Sequence, residues 1–521
     1  MYFNCIRIYL SIFTYINMKK DMQLTKSDFL KYKECPSYLW FFKNKPEVVK
    51  DKEIDPFVQG LIEQGAEVED WALKLYPDGV HIRAFNDIAV ATTQRLIKEG
   101  KKTIFQATFS DGELYAMIDI LEWNDLYGGW DIIEVKSSSS QVDQELGTRK
   151  NEFLDDTGFQ RILLKRLGMK VVNVYMLQVN KKYIRQGEVD LKQLFVLKEI
   201  TTDVIDLEVI HKEEIQSAID IINQPQEPTS CQCRYKARKK HCGAYAYLYP
   251  DTPDYAVYDL HKIGLSKRLL REMVDSNIIG MNDIEDASEF KKMKLWQWES
   301  YRDDEERLDP IGIRKELESL EYPLYFLDYE TLPSAVPKYD GTWPHQQVVF
   351  QYSLHIIESE GTKPIHKEYL HTSNEKPMHA IAENLRKDIG DEGSVIVWYK
   401  PFEVPRTNEL ADAVPEHKEF LTALADRIYD LMDIVTEGYY HHKDFRGSAS
   451  IKNVLPVMCP ELSYKVLNVQ NGGQAMTTYR DLIFSDIYQG REEDVIKDLL
   501  AYCELDTWAM VRIWEEMWKK V

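Results

Sequence analysis

Residues 114–138 read LYAMIDILEWNDLYGGWDIIEVKSS, two apolar runs joined by the polar segment NDLYGG. β-branched and aromatic residues bounded by Gly, Asn and Asp predict two strands with a turn between them. Strand side chains alternate between faces, so Glu134 and Lys136 share a face and Val135 points away. A hairpin would bring Asp119 close to Glu134. We therefore expect two carboxylates and a lysine to meet on one sheet.

These charges suit metal-assisted hydrolysis of phosphodiester bonds. Carboxylate oxygens bind Mg²⁺ or Mn²⁺, and an ammonium group orients water or offsets developing charge. The alternative is an exposed pair of opposite charges, Glu134 with Lys136. The apolar surroundings of IIEVK disfavour that alternative, because unpaired charges are costly to bury.

The pattern of Asp119, Glu134 and Lys136 resembles the D…ExK motif of the PD-(D/E)xK nuclease superfamily, RecB branch. Downstream, GFQRILLKRLG contains Gln160, which matches the glutamine of the RecB-type motif. The resemblance implies a restriction-endonuclease-like domain in which Asp119 and Glu134 bind metal while Lys136 and Gln160 are catalytic.

Helical patterns precede these strands. The segment that begins at Leu24, LTKSDFLKYKECPSYLWFFKNKP, predicts one amphipathic helix with Thr25 or Ser27 as N-cap. A second predicted helix contains GAEVEDWA. In the RecB branch an acidic or histidine residue of an early helix also approaches the metal, and Glu67 or Glu69 is available here.

Seven cysteines in a chain of this length favour metal binding in a reducing compartment over a disulfide framework. Cys35 precedes the strands, and Cys231, Cys233 and Cys242 follow them. This arrangement resembles the iron–sulfur RecB-like nucleases, among them the CRISPR-adaptation nucleases and the AddB subunit, which implies a [4Fe–4S] cluster on these four residues. Zinc is the alternative, although paired zinc-binding cysteines usually stand about two to four residues apart. Of the other three cysteines, Cys5 lies in the first 22 residues, and we expect Cys459 and Cys503 to be ordinary core residues.

The chain is acidic as a whole, with 65 Lys and Arg against 86 Asp and Glu and a net charge of −21. Such a protein does not coat nucleic acid by bulk charge, so a nucleic-acid site must be a local basic patch or metal-binding carboxylates. The basic residues between the clustered cysteines are candidate phosphate contacts, with a solvated basic loop as the alternative: Arg234, Lys236, Arg238, Lys239 and Lys240.

The last third opens with YPLYFLDYETL at residues 322–332, a predicted buried strand that places Asp328 and Glu330 on one face. Near the C-terminus, YCELD places Tyr502 and Asp506 four residues apart on one face of a helix. D-x-E followed by Y-x₃-D resembles the DnaQ-like, DEDD-type 3′–5′ exonucleases. The resemblance implies a ribonuclease H-like fold in which the three carboxylates bind divalent ions and Tyr502 positions the attacking water.

The middle motif of such exonucleases usually ends in Phe-Asp, and here YKPFE ends in Glu403. The apolar run SVIVWYK predicts a strand that brings Glu403 to the sheet edge where Asp328 and Glu330 emerge. A glutamate reaches one methylene further than aspartate and still binds hard divalent ions. Asp430 and Asp433 are secondary candidates that we expect to be ordinary carboxylates.

The 521 residues exceed one compact core, and 44% hydrophobic with 29% charged residues excludes wholesale disorder. The pattern predicts an α/β protein: a restriction-endonuclease-like domain at 23–250, a helical connector at 251–320 and a ribonuclease H-like domain at 321–521. In the connector, KIGL and IIGM resemble the glycine turn of a helix-hairpin-helix module, with a plain helical linker as the alternative.

Residues 1–22 are expected to be an upstream extension or a disordered segment, with Met18 or Met22 as the natural start. Their apolar run is too short to span a bilayer, contains Arg7 and lacks a small-residue cleavage site. No later stretch reaches transmembrane length without charges, so we expect no membrane partner and a cytoplasmic location.

The leading hypothesis is a metal-dependent nuclease with two centres that processes or repairs DNA, with RNA as an open alternative substrate. The segments GSASIKNVLP and YYHHKDFRG also resemble a bacterial family of unknown function that joins an iron–sulfur RecB-like nuclease to a DnaQ-like exonuclease. The alternative is a non-catalytic nucleic-acid-binding or scaffold protein with degenerate sites and a structural metal cluster.

Overall fold

The computed structural model describes residues 22–49, 56–140 and 150–521, so the expected upstream extension lies outside the described residues apart from Met22. The protein is α/β, as predicted. The helices are α1 (Lys26–Glu34), α2 (Pro36–Asn44), α3 (Pro56–Leu73), α4 (Asn86–Lys98), α5 (Lys150–Arg166), α6 (Leu191–Leu194), α7 (Thr201–Asp206), α8 (Glu208–Asn223), α9 (Tyr245–Leu248), α10 (Lys267–Asp275), α11 (Lys292–Asp303), α12 (Pro310–Glu318), α13 (Met378–Asp388), α14 (Lys400–Ala413), α15 (Lys418–Asp426), α16 (Asp433–Thr436), α17 (Ile451–Met458), α18 (Gly472–Phe484) and α19 (Glu492–Lys519). None of the described helices combines the length and the apolar character needed to cross a bilayer.

Within residues 22–49, 56–140 and 150–521, the strands form two larger sheets and one small ribbon. Their bounds are β1 (Leu24–Thr25), β2 (Val80–His81), β3 (Thr103–Ser110), β4 (Leu114–Asn124), β5 (Gly129–Ser140), β6 (Val171–Asn180), β7 (Phe195–Glu199), β8 (Arg307–Leu308), β9 (Leu324–Pro333), β10 (Gln347–Ile357), β11 (Ile365–Leu370), β12 (Ser394–Val397), β13 (Ile428–Asp430) and β14 (Tyr440–His441). The N-terminal sheet runs β2-β3-β4-β5-β6-β7, with β1 paired to β4. The C-terminal sheet runs β11-β10-β9-β12-β13, and β14 pairs with β8.

The strand pair predicted from residues 114–138 is present as the antiparallel pair β4 and β5, with Ile120 opposite Ile133. This register sets Asp119 beside Glu134. Parallel pairing of β5 with β6 continues the sheet, and α5 packs against β4 and β5. The pairing therefore fixes the two carboxylates relative to each other.

The single helix predicted from Leu24 is wrong, because the chain forms two helices that meet at Cys35. Pro36 occupies the first position of α2, where its missing N–H is not needed, and Cys35 is extended. Thr25 is the N-cap of α1 and forms a capping box with Asp28, so Ser27 lies inside the helix. The break leaves Cys35 at the corner between the helices.

The cysteine-rich segment packs together with much of the predicted connector. One apolar cluster contains buried residues of α2, of residues 231–245 and of residues 255–290. The predicted connector contains the helices α10 and α11 together with short 3₁₀ turns, and these elements pack into a lobe. Buried Gln297 of α11 donates to the carbonyl of Asp259 at 2.8 Å and accepts from the N–H of His261 at 2.7 Å.

The loop between β9 and β10 joins the C-terminal sheet to the N-terminal one. Val336 is buried in an apolar cluster of the N-terminal sheet. The ring Nε2 of His345 lies 2.6 Å from the carbonyl oxygen of Ser137, and Lys338 forms a 2.6 Å ion pair with Glu67 of α3. These contacts hold the loop directly beside the end of β5.

Candidate active sites and cysteine centre

The four predicted residues of the N-terminal centre meet. Asp119 accepts a hydrogen bond from the N–H of Val135 at 2.8 Å, and the Lys136 ammonium lies 2.8 Å from Glu134 Oε1. From α5, Gln160 donates to Glu134 Oε2 at 2.6 Å. Glu134 and Gln160 are buried, so the centre is an enclosed charge cluster and not a surface ion pair.

Two further charged residues belong to this centre. The Lys26 ammonium lies 2.8 Å from Glu134 Oε1, and Asp156 accepts from Lys136 at 2.6 Å. Asp156 stands one helical turn before Gln160, and this spacing could have predicted it from the sequence. No sequence motif identifies Lys26. It reaches the site through the pairing of β1 with β4, which is a tertiary contact.

The early helix α3 offers Glu69 rather than Glu67 to the centre. Glu69 accepts a hydrogen bond from Gln106. Burial and the negative charges of Asp70 and Glu134 raise the pKa of Glu69, and the hydrogen bond from Gln106 and the positive charge of Lys26 partly offset this rise. Glu67 points to Lys338 of the C-terminal half instead.

Burial and crowding control the protonation of the N-terminal centre. Burial, with the neighbouring Glu134, raises the pKa of Asp119 to about 8. Burial alone would raise the pKa of Glu134 too, but Lys136 and Lys26 hold it below its usual range. When all are ionised, the four carboxylates of Glu69, Asp119, Glu134 and Asp156 exceed the two ammonium groups by two charges, which one divalent ion would balance.

The C-terminal centre also assembles the predicted residues. Asp328 and Glu330 of β9 and Asp506 of α19 place carboxylate oxygens within 4.8 Å of one another. Tyr502 and Glu403 line the same cavity, of about 380 Å³. Glu403 is 3% exposed, and its Oε2 has no hydrogen-bond partner among the described residues. The chemistry and enclosure of these oxygens fit divalent metal ions.

The secondary candidates lie outside the carboxylate cluster. Asp430 accepts hydrogen bonds from the N–H groups of Tyr399 at 2.9 Å and Lys400 at 2.7 Å. It thereby caps the start of α14, the helix that carries Glu403 in its first turn. Asp433 is exposed and bonds within its own helix. Asp430 therefore positions Glu403 through the helix.

Sequence reasoning missed two contacts of the C-terminal centre. The hydroxyl of Tyr464 donates a hydrogen bond to Asp506 Oδ1 at 2.5 Å. Tyr464 lies in the loop before α18, and no sequence motif identifies it. Cys503 is a buried core thiol, as expected, and its Sγ also lies 3.7 Å from Asp328 Oδ2. The position of Cys503 next to Tyr502 in the sequence was the available indication.

Burial and mutual repulsion also raise pKa values in the C-terminal centre. The pKa of Glu330 is raised to about 8 by burial and by Asp506. The pKa of Asp506 is raised to about 6 by burial, although Tyr464 and Lys452 oppose the rise. Without a cation, these carboxyl groups hold protons at pH values where exposed carboxyl groups are ionised.

We therefore expect the metal-free protein to lose stability as the pH rises from about 4 to about 8. In the unfolded chain Asp119 and Glu330 ionise near pH 4, whereas in the folded chain they keep their protons up to about pH 8. Mn²⁺ binds the ionised form, so its stabilising effect should be larger at pH 8 than at pH 6. Urea unfolding with EDTA or Mn²⁺ at both pH values measures this effect, and an equal Mn²⁺ effect at both would contradict it.

The four predicted cysteines form one buried group. The Sγ atoms of Cys35, Cys231, Cys233 and Cys242 lie within 4.8 Å of one another. This spacing suits a single tetrahedral ion such as zinc. A [4Fe–4S] cluster holds its cysteine sulfurs farther apart, because the iron and sulfide atoms lie between them. Four cysteine sulfurs can bind either a zinc ion or a [4Fe–4S] cluster. The cluster would require these sulfurs to lie farther apart than they do here.

The basic residues between the cysteines have different surroundings. Arg238 makes two hydrogen bonds to the carboxylate of Asp259, at 2.6 and 2.7 Å. Lys236 donates to a backbone carbonyl of α1 at 2.7 Å, and Arg234 donates to one of α10 at 3.4 Å. The exposed members are Lys239 and Lys240. Arg238 and Lys236 thus hold the lobe together, and Lys239 and Lys240 are the more accessible to a phosphate.

Comparisons with known proteins find relatives without an assigned function. A family model described as "Domain of unknown function (DUF2779)" matches residues 325–450. The uncharacterized protein MG366 homolog of Mycoplasma pneumoniae is 30% identical over 212 residues, covering 37% of this chain and 32% of that protein. The uncharacterized protein UU173 of Ureaplasma parvum is 30% identical over 212 residues, covering 36% and 30%. The chain spans about a third of the length of these curated relatives, and no solved structure matches it significantly.

Proposed function

We propose that this protein is a metal-dependent nuclease with two centres, one RecB-like and one similar to 3′–5′ exonucleases. The convergence of Asp328, Glu330 and Asp506 within 4.8 Å carries the proposal. These carboxylates come from distant parts of the chain and line one cavity. When these carboxylates are ionised, such crowding is costly unless a cation balances it.

In the N-terminal centre, Asp119 and Glu134 would hold the ion, and Gln160 restrains Glu134 through its 2.6 Å hydrogen bond. The bound ion would polarise the phosphodiester and make water a better nucleophile. Lys136 would orient that water or offset the charge that develops on the phosphate. Asp156 holds the Lys136 ammonium in place.

In the C-terminal centre, Glu403 would complete the carboxylate set of Asp328, Glu330 and Asp506. Tyr502 lines the cavity beside these residues, where its hydroxyl would orient the attacking water. Tyr464 fixes Asp506 through a hydrogen bond. An aromatic wall that includes Trp398 and Tyr399 offers a surface on which a nucleic-acid base could stack.

The four-cysteine site is proposed to hold a structural metal group. The resemblance to iron–sulfur nucleases favours [4Fe–4S], and the short sulfur spacing favours zinc. The proposed partner is DNA, or RNA, which the exposed Lys239 and Lys240 beside this site could contact. Iron, zinc and acid-labile sulfide contents of anaerobically purified protein distinguish the two metal groups.

Digestion of end-labelled nucleic acid tests the proposed function. Single- and double-stranded DNA and matching RNA are incubated with the protein and Mg²⁺ or Mn²⁺. The control is the protein with Asp119→Asn and Asp506→Asn together, which removes one carboxylate from each centre and excludes a contaminating nuclease. Cleavage by the wild type alone supports the proposal. Equal products from both proteins, or none from either, would point to the scaffold alternative.

Glu403→Gln is expected to reduce cleavage by the C-terminal centre at least about 100-fold. The change keeps the shape of the side chain and removes the charge that its unpartnered Oε2 offers to a cation. The exonuclease-like products of end-labelled strands measure the effect. Glu409→Gln is the matched control on the same helix, because Glu409 pairs with Arg406 instead. Full activity of Glu403→Gln would remove Glu403 from the metal site.

A further inference from the structure

We propose that Lys26 is a second catalytic lysine of the N-terminal centre, which contacts the phosphate of the substrate once a divalent ion is bound. This inference rests on the proposed nuclease function. Lys26 lies outside the strand motif that predicts the centre, and it stands nearly 110 residues before Glu134 in the chain.

Two lysines compete for one carboxylate oxygen. The ammonium groups of Lys26 and Lys136 each lie 2.8 Å from Glu134 Oε1. Lys136 has a strong second partner, Asp156 at 2.6 Å, whereas Lys26 is 3.6 Å from the same carboxylate. A metal ion that takes Glu134 must weaken one of these contacts. Lys26 has the weaker second contact and is the ammonium that would be released.

The released ammonium can reach a ligand from solvent. The side chain of Lys26 is 24% exposed, whereas that of Glu134 is 1% exposed. The Lys26 ammonium lies between two acidic side chains, 2.8 Å from Glu134 and 3.6 Å from Asp156. A charged ammonium at the open side of a metal site makes a strong hydrogen bond to a phosphate oxygen.

The backbone fixes Lys26 independently of its ion pairs. Lys26 directly follows the N-cap Thr25, which pairs with Tyr115 of β4, the strand that carries Asp119. The capping residue Asp28 is held by Lys43 of α2 at 2.6 Å. The start of α1 is thus anchored to the sheet of the centre, which argues for a preorganised role.

Lys26→Gln is expected to have opposite effects on metal binding and on catalysis. Loss of one positive charge should tighten Mn²⁺ binding at the N-terminal centre several-fold, while cleavage by that centre falls about 100-fold. Both are measured on full-length protein that also carries Asp328→Asn and Asp506→Asn, so that the C-terminal centre is silent. Mn²⁺ binding is followed by calorimetry with the metal alone.

Lys33→Gln is the matched control. Lys33 lies on the same helix with a similarly exposed side chain, and its partners are Glu214 and Asp155, outside the centre. Its loss should leave cleavage and the Mn²⁺ affinity of the N-terminal centre unchanged, and any Mn²⁺ bound by Asp155 and Glu214 together with His211 is a separate site. Lys26→Arg keeps the charge and the fold, so it should keep the wild-type Mn²⁺ affinity and recover part of the cleavage.

The possible results distinguish failure of the proposed role of Lys26 from failure of the proposed nuclease function. Unchanged Mn²⁺ affinity and cleavage in Lys26→Gln overturn the role of Lys26 and leave the nuclease function intact. Weaker Mn²⁺ binding in both Lys26→Gln and Lys33→Gln shows a merely structural role and also overturns it. A wild-type protein that cleaves no nucleic acid overturns the nuclease function, and the catalytic role of Lys26 with it.

Discussion

Asp119→Asn is expected to abolish one nuclease activity and leave the other, and Asp506→Asn is expected to do the reverse. Each change keeps the side-chain shape and removes one carboxylate charge from one buried cluster. The two clusters belong to different sheets, so each should lose at least about 100-fold in its own activity. Lys136→Ala should behave like Asp119→Asn. Product lengths from end-labelled single- and double-stranded DNA distinguish the two activities.

Asp433→Asn is a suitable control for this pair, because Asp433 is an exposed carboxylate outside both clusters. It should retain both activities. The two-centre proposal fails if either Asp119→Asn or Asp506→Asn removes both activities while circular dichroism shows an intact fold. A single composite site would then be the better description.

Cys35→Ser is expected to lose the metal of the cysteine site and to destabilise the N-terminal half by about 4 kcal/mol or more. Cys35 is the one ligand of the set that comes from the corner between α1 and α2. The other three come from a segment almost 200 residues later, so a metal bound by all four would tie distant parts of the chain together. Serine offers a poor ligand in place of the thiolate.

Cys459→Ser is the matched control, because it also replaces a buried thiol by a hydroxyl. Cys459 is 1% exposed and Cys35 is fully buried. Cys459 lies outside the four-cysteine group, so its change should cost only about 1–2 kcal/mol and leave the metal content unchanged. Metal analysis and urea unfolding of both variants provide the comparison. Unaltered iron and zinc in Cys35→Ser would contradict the metal assignment.

The sequence predicted the parts of the fold and site that depend on local pattern. Alternation along β5 placed Glu134 and Lys136 on one face, and helical spacing placed Tyr502 with Asp506. Both placements agree with the structure because strand and helix periodicity is a property of the backbone. The break at Cys35 was missed because the helical pattern on both sides outweighed the effect of Pro36.

Contacts made by tertiary packing could not be predicted in this way. Lys26 reaches Glu134 because a two-residue strand pairs with β4, and Tyr464 reaches Asp506 from a loop. Neither residue has a spacing or a neighbour that marks it. Arg238 was predicted from the sequence as a phosphate contact, but in the structure its guanidinium group binds the carboxylate of Asp259.

The short helix α1 has a consequence for the order in which the protein matures. Its nine residues, about 13 Å long, carry Lys26 at one end and lead to Cys35 at the other. The cysteine site cannot form until residue 242 has left the ribosome, after the entire N-terminal sheet has been synthesised. We therefore expect a newly made chain to place Lys26 early, through the pairing of β1 with β4, and to fix the corner at Cys35 later. The two ends of one short helix would then reach their final positions at different times, the second only after the whole N-terminal sheet has been made.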